Sequence, residues 1–237
     1  MVLLRKRKKK KLTTMPRKLV TVLDANSIIS EQFRAIRTNI KFALPDKDLK
    51  TILVTSSMAG EGKSTSAANL AVVFAQDGKR VLIVDADMRK PTIHHTFEMY
   101  NTSGLSNVLT RQEKFHEVVQ RSCIEGLDVI VSGPTPPNPT DLLDSTTMDI
   151  LMKEICRDYD IIIFDAPPLL HIADAQILAH KCDGTLLVVD TDVALKDDML
   201  KAKTLLTTAR AKVLGVIMNN MALTHDHYYY QYSSNKK

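Results

Sequence analysis

Six apolar, β-branched runs punctuate this chain and leave it few folds to choose from: TILVTS at 51–56, VLIVDAD at 81–87, LDVIVSG at 127–133, YDIIIFDAP at 159–167, GTLLVVD at 184–190 and KVLGVIMN at 212–219. Most are continuous rather than alternating, as strands covered on both faces must be. Helical patterns fill the intervals, at about 63–77, 113–121, 139–157, 173–181 and 196–210, with Gly78 placed as a stop after the first. Strand–helix alternation implies right-handed crossovers and a doubly wound, mainly parallel α/β sheet. The 237 residues suit one such domain with short extensions, and no internal repeat divides them. Ligands of these sheets sit at the carboxyl ends of the strands, so the chemistry is expected just after the apolar runs.

It is found there. TSSMAGEGKSTSAANLA at 55–71 leaves the first run and opens the first helix. Gly60 and Gly62 let backbone N–H groups turn toward a phosphate, Lys63 brings positive charge to the β- and γ-phosphates, and Ser64 offers a hydroxyl to Mg²⁺. The helix N-terminus adds its dipole. The strict phosphate-loop pattern fails at its first position, where Ser57 replaces glycine, while its last three residues are intact. Two further runs end on carboxylates, Asp85 and Asp87 in one and Asp165 in the other. Carboxylates converging on a phosphate loop suit Mg²⁺, which takes hard oxygen ligands and keeps several waters. The set points to a nucleoside triphosphatase or a kinase; the two differ in the nucleophile that reaches the γ-phosphate.

Charge and composition exclude other classes. The net charge of +5 comes from one end: residues 1–18 hold nine Lys/Arg and no acid, whereas residues 19–237 hold 23 bases against 27 acids. The body is mildly acidic, so no general nucleic-acid-binding face is implied, and RKRKKKK at 5–11 leaves three readings open: a contact for anionic lipid head groups, nonspecific RNA binding, or a disordered solubilising arm. No apolar run reaches the ~18–20 residues of a membrane span, and no signal peptide is visible. Cys123, Cys156 and Cys182 are scattered without metal-ligand spacing, which reads as reduced thiols filling the core.

Two features remain. A helix expected over about 29–43 carries Glu31, Arg34 and Arg37 at every third position, within an arc of about 120°. Four of the six tyrosines, Tyr228, Tyr229, Tyr230 and Tyr232, crowd the carboxyl end. Together with MAGEGKSTSAANLAVVFAQDGKRVLIVDADMRKP, SGPTPPNPTDLL and FDAPPLLHIADAQILAHKCDG, this cluster resembles the bacterial protein-tyrosine kinases of capsule and exopolysaccharide synthesis, over roughly residues 27–237.

That resemblance implies a phosphate-loop nucleoside-triphosphatase-like kinase domain over 27–222, a disordered basic arm over 1–26 and a tyrosine-rich tail over 223–237. It implies ATP bound by Gly60, Glu61, Gly62, Lys63, Ser64 and Thr65, with Asn219 at the base and Mg²⁺ at Ser64, Asp87 and Asp165. Lys63, Asp85 and Asp87 carry catalysis, base and metal duties being shared between the two aspartates. Tyr228, Tyr229, Tyr230 and Tyr232 become the autophosphorylated residues, and Glu31, Arg34 and Arg37 a motif for ring-like self-association. The implied partners are a transmembrane activator and tyrosine-bearing protein substrates, at the cytoplasmic face of the membrane. The competing reading is a partitioning or cell-division-site ATPase; those relatives carry a lysine where Met58 stands here. The proline loop at 133–143 reads as structural punctuation and His94, His95 and His171 as surface or packing residues, while His225 and His227, a chelating pair with no third fixed ligand, read as part of a solvated tail.

Overall fold

The computed structural model describes residues 19–43 and 49–221; the basic run at 5–11 and the tyrosines at 228–232 lie outside the described residues. Within them, one sheet is built from β1 (Thr51–Ser56), β2 (Val81–Asp85), β3 (Gln120–Arg121), β4 (Leu127–Ile130), β5 (Ile161–Asp165), β6 (Gly184–Asp190) and β7 (Val213–Asn219), in the order β3-β4-β2-β5-β1-β6-β7. Every pairing is parallel except β3 with β4. The apolar runs are uninterrupted because the period of two feeds both faces. Leu53, Val84, Phe164 and Leu187 join one core, while Ile52, Ile83, Ile163 and Val188 join the other.

The helices cover these faces. On one side lie α2 (Ile28–Ala43) and α3 (Lys63–Ala75), after the short α1 (Val20–Leu23). On the other lie α8 (Thr146–Asp158), α9 (Asp174–Lys181) and α10 (Lys196–Thr208). Three short helices, α4 (Ile93–Thr96), α5 (Leu105–Leu109) and α6 (Phe115–Val118), follow β2, and the proline loop ends in α7 (Pro139–Asp144). α3 is enclosed nearly all round, so its small and aliphatic residues show no polar stripe, and it sits under the sheet as a fixed support for the phosphate loop.

Four expectations change. The single helix over 139–157 is two, because the Ser145 hydroxyl accepts the Met148 N–H at 3.3 Å and caps a new helix. The helix over 113–121 shortens to α6, since Gln120 and Arg121 pair instead with Val129 and Asp128 of the otherwise open edge of β4. Packed structure also begins inside the span read as an arm. Thr21 is buried, donates its N–H and hydroxyl to Asn69 Oδ1 at 3.0 and 2.9 Å, and accepts from Gln76 through its carbonyl. The cysteines are free, but only Cys182 is buried; Cys156 is half-buried and Cys123 exposed, so core filling accounts for one of the three.

Candidate active site

β1 stands between β5 and β6, and the loop that leaves it turns at the carboxyl edge into α3. Gly60 and Gly62 take φ of +94° and +90° there, the left-handed region that a Cβ disfavours. At Gly62 a Cβ would also stand 2.2 Å from the Asn219 amide nitrogen. That amide, at the end of β7, donates to the Glu61 carbonyl at 3.1 Å, so the last strand braces the loop. Ser57 keeps ordinary backbone angles, which explains why glycine is not needed at this position. Its hydroxyl donates to the Glu61 carboxylate, which also accepts the Met58 N–H at 2.7 Å. Glu61 is thus a buried staple inside the loop; its side chain does not line the cavity.

The cavity in front of the loop has a volume of about 470 Å³ and is walled by Gly60, Gly62, Lys63, Ser64, Asp87 and Arg89, with Thr65, Pro167, Pro168 and His171 at its margin. Lys63 Nζ lies 3.0 Å from Asp87 Oδ2, 3.5 Å from Asp165 Oδ1 and 3.2 Å from the Ser64 hydroxyl. Burial would lower the affinity of this ammonium for its proton, but the charges of Asp165 and Asp87 outweigh it and hold the group above its ordinary value. The cluster is therefore a buried cation enclosed by carboxylates.

The two aspartates that end the second run part company. Asp87 lines the cavity. Asp85 is fully buried: Oδ2 accepts the N–H groups of Thr92 and Ile93 at 2.9 Å each, and Oδ1 accepts that of Asp87 at 3.2 Å. Burial, with the Asp165 charge behind it, pushes the Asp85 carboxyl up to about 7 against the pull of those backbone donors. Its contacts make it the anchor of the turn that presents Asp87.

The oxygen donors here, Ser64 and Asp87 with Asp165 alongside, fit a hard divalent cation held by one or two carboxylates and by the phosphates it accompanies. Among the described residues no three acidic, His or Cys side chains close into an all-protein metal cage. Asn219 sits apart from the main cavity, in a groove of about 490 Å³ between α2 and β7 whose walls include Phe33, Ile36 and Ser66.

Glu31 and Arg34 pair with each other on α2, and Arg34 also donates to the Ala25 carbonyl at 2.7 Å. Arg37 is turned inward, donating to the Val73 carbonyl at 2.8 Å and lying 3.4 Å from Asp77. Sequence reasoning left His171 as a surface or packing residue, although it follows the same strand end as Asp165. It also assigned nothing to Thr140 or Asp174, which meet Arg89 at the rim.

Residues 49–201 match the AAA domain family. Tyrosine-protein kinase YwqD of Bacillus subtilis (strain 168) is 49% identical over 217 residues, 91% of this chain and 92% of that protein. The crystal structure of the chimerical protein CapA2B2 superposes with a TM-score of 0.84 at 42% identity, over 86% of this chain and 90% of that one. The kinase domain of Escherichia coli tyrosine kinase ETK gives a TM-score of 0.82 at 27% identity, over 93% and 88%. A phosphate-loop kinase domain binds ATP, and the matched family segment contains the loop and the carboxylate-bearing strand ends. This chain belongs to the bacterial tyrosine-protein kinases of capsule and exopolysaccharide synthesis.

Proposed function

We propose that the chain transfers the γ-phosphoryl group of ATP to Tyr228, Tyr229, Tyr230 and Tyr232 of its own carboxyl-terminal cluster, and to tyrosines of other proteins. The observation that carries this reading is the direction of β7. It runs parallel to β6, so Asn219 leaves the sheet at the edge that holds the phosphate loop. Tyr228 is nine residues further on, a reach of up to ~30 Å at ~3.3 Å per extended residue. Tethering on that side raises the local concentration of the phenol to the order of millimolar.

Lys63 binds and orients the phosphates, exchanging its carboxylate partners for phosphoryl oxygens. Gly60, Gly62 and Thr65 supply backbone N–H groups, and the Asn219 groove receives the base. Ser64, Asp87 and Asp165 would hold Mg²⁺, which would supply neutralisation of the phosphate charge. A phenol with a pKa of about 10 is a weak nucleophile at neutral pH, so a carboxylate must take its proton. Asp87 has the position for that duty, and Asp85 holds Asp87 in place. The phenolic oxygen bonds to the γ-phosphorus, the bond to the β–γ bridging oxygen breaks, the proton passes to Asp87, and ADP leaves.

Each phosphorylation adds about −1.5 to −2 charges. A tail so modified is repelled by the acidic body and leaves the site. Glu31, Arg34 and Arg37 mediate ring-like self-association while the tail is unmodified. No described helix is long and apolar enough to cross a membrane. We infer a membrane-protein activator for this chain, with the basic run at 5–11 adding affinity for anionic lipid. Replacing all four tyrosines by phenylalanine tests the core of the reading: labelling from γ-labelled ATP should fall to a small residue, and unchanged labelling overturns it.

A further inference from the structure

The proline loop and the start of α9 have no chemical role in the scheme above, yet both reach the cavity through one side chain. We propose that Thr140 and Asp174 are positioning residues that clamp Arg89, and that Arg89 so held is a catalytic cation for the transferred phosphoryl group. The inference rests on the phosphotransfer reading of the cavity.

Asp174 stands in the first turn of α9 and is fully buried. A buried carboxylate is costly unless paired and hydrogen-bonded. Arg89 Nε donates to its Oδ2 at 3.0 Å and Nη2 approaches Oδ1 at 3.5 Å. The Thr140 hydroxyl donates to Oδ1 at 2.5 Å and accepts Arg89 Nη2 at 3.0 Å. One hydroxyl thus uses its donor on the anion and its lone pair on the cation. The three residues come from segments far apart in the chain, so no local turn accounts for their meeting.

The accounting of donors gives the clamp a direction. Nε and Nη2 are engaged, whereas neither Nη1 hydrogen has an acceptor among the described residues. Arg89 walls the phosphate cavity, and Asp174 does not. Of the cations that wall it, Lys63 answers to Asp87 and Asp165, Lys90 makes no ion pair among the described residues, and Arg89 is the one held by a counter-ion outside the walls. A guanidinium fixed through two nitrogens needs no reorganisation when charge shifts during transfer, and its remaining nitrogen matches a phosphoryl oxygen as a lysine point charge does not.

The test uses the full chain and four variants: Arg89→Ala, Arg89→Lys, Thr140→Val, and Arg89→Ala with Thr140→Val. Intact mass follows phosphotyrosine formation at saturating Mg·ATP, and equilibrium titration gives the ADP Kd. Arg89→Ala should slow formation ~10²-fold, on the scale of losing one preorganised charge donor, and Thr140→Val about tenfold. ADP affinity should stay within about twofold, because ADP lacks the group that Arg89 serves. Arg89→Lys should recover little of the rate, and the double variant should be no slower than Arg89→Ala. If Thr140→Val slows the Arg89→Ala chain by its own full factor, or ADP affinity falls in step with rate, the residues are a structural staple and the proposal is wrong. Rates for Arg89→Ala equal to the parent also overturn it. A parent chain that forms no phosphotyrosine sinks the phosphotransfer reading itself, a result distinct from loss confined to the variants.

Discussion

The two edges of the sheet use the same residue type for opposite ends. At the amino edge, Asp183 Oδ2 accepts the N–H groups of Lys50 and Thr51 and the Thr51 hydroxyl, while Asp160 accepts the Arg80 N–H and its guanidinium. These carboxylates join neighbouring strands and are satisfied by what they join. At the carboxyl edge, Asp87 and Asp165 crowd one buried lysine, and Asp85 is buried to a degree that raises its proton affinity. One edge holds charge where it is comfortable. The other holds charge that a polyphosphate and a cation can rearrange, which is why the chemistry belongs there.

The largest effect that separates the edges is Lys63→Met. Loss of the ammonium should lower phosphotyrosine formation by ~10³-fold or more, measured by intact mass after incubation with Mg·ATP. Labelling within tenfold of the parent would remove the lysine from the mechanism. At the amino edge the expectation inverts. Asp183→Ala strands the Thr51 and Lys50 donors and should cost about 1–3 kcal/mol of stability in urea unfolding. Nucleotide affinity should remain within about twofold, since this carboxylate touches nothing at the other edge; a selective loss of ATP binding would show the two edges to be coupled.

Asp85 sharpens the comparison through pH. Folding raises its carboxyl from an ordinary 3.8 to about 7, first through burial and then through Asp165. Between those values the folded chain holds a proton that the unfolded chain has released. The group's contribution is therefore fully present below pH 3.8 and is lost as pH rises through about 7. Asp85→Asn removes that dependence. The stability of the parent relative to the variant, read from urea midpoints without nucleotide, should decline from pH 5 to about 7 and level off by pH 8. A difference independent of pH would mean that Asp85 does not titrate in this window.

Much of the edge chemistry was legible in the sequence because strands buried on both faces advertise themselves. TILVTS and GTLLVVD coincide with β1 and β6, and the residues just beyond such runs are placed at the carboxyl edge by topology alone. Asn219, by contrast, came from the family resemblance and not from the run that precedes it. What was hidden depends on partners distant in the chain. β3 exists because the edge of β4 offers it backbone groups, and α4 starts where Asp85 accepts two N–H groups. Asp85 and Asp87 look equivalent in VLIVDAD, yet the strand ends at Asp85 and the following turn sends only Asp87 into the cavity. The Arg89–Thr140–Asp174 contact has no local signature, since the proline loop and α9 meet the rim only in the folded chain.

The smallest expected stability effect lies on α2, where charge is exposed and its energy is weak. Glu31 is two-thirds exposed and, among the described residues, pairs only with Arg34 one turn away, a contact that is screened. Glu31→Lys should therefore change the unfolding free energy of the isolated chain by about 0.5 kcal/mol or less. Self-association is a different matter, because in a ring each copy repeats the same charge against its neighbour, and a reversed sign is repeated with it. On the proposed ring assembly, sedimentation velocity of the unphosphorylated chain should show a species larger than monomer for the parent and monomer for the variant. Arg37, turned toward the Val73 carbonyl and Asp77, is the internal control: Arg37→Ala should cost stability as well as assembly. If Glu31→Lys leaves assembly intact, the helix charges serve only their own helix, and the rule that exposed pairs contribute little extends to the whole of this face.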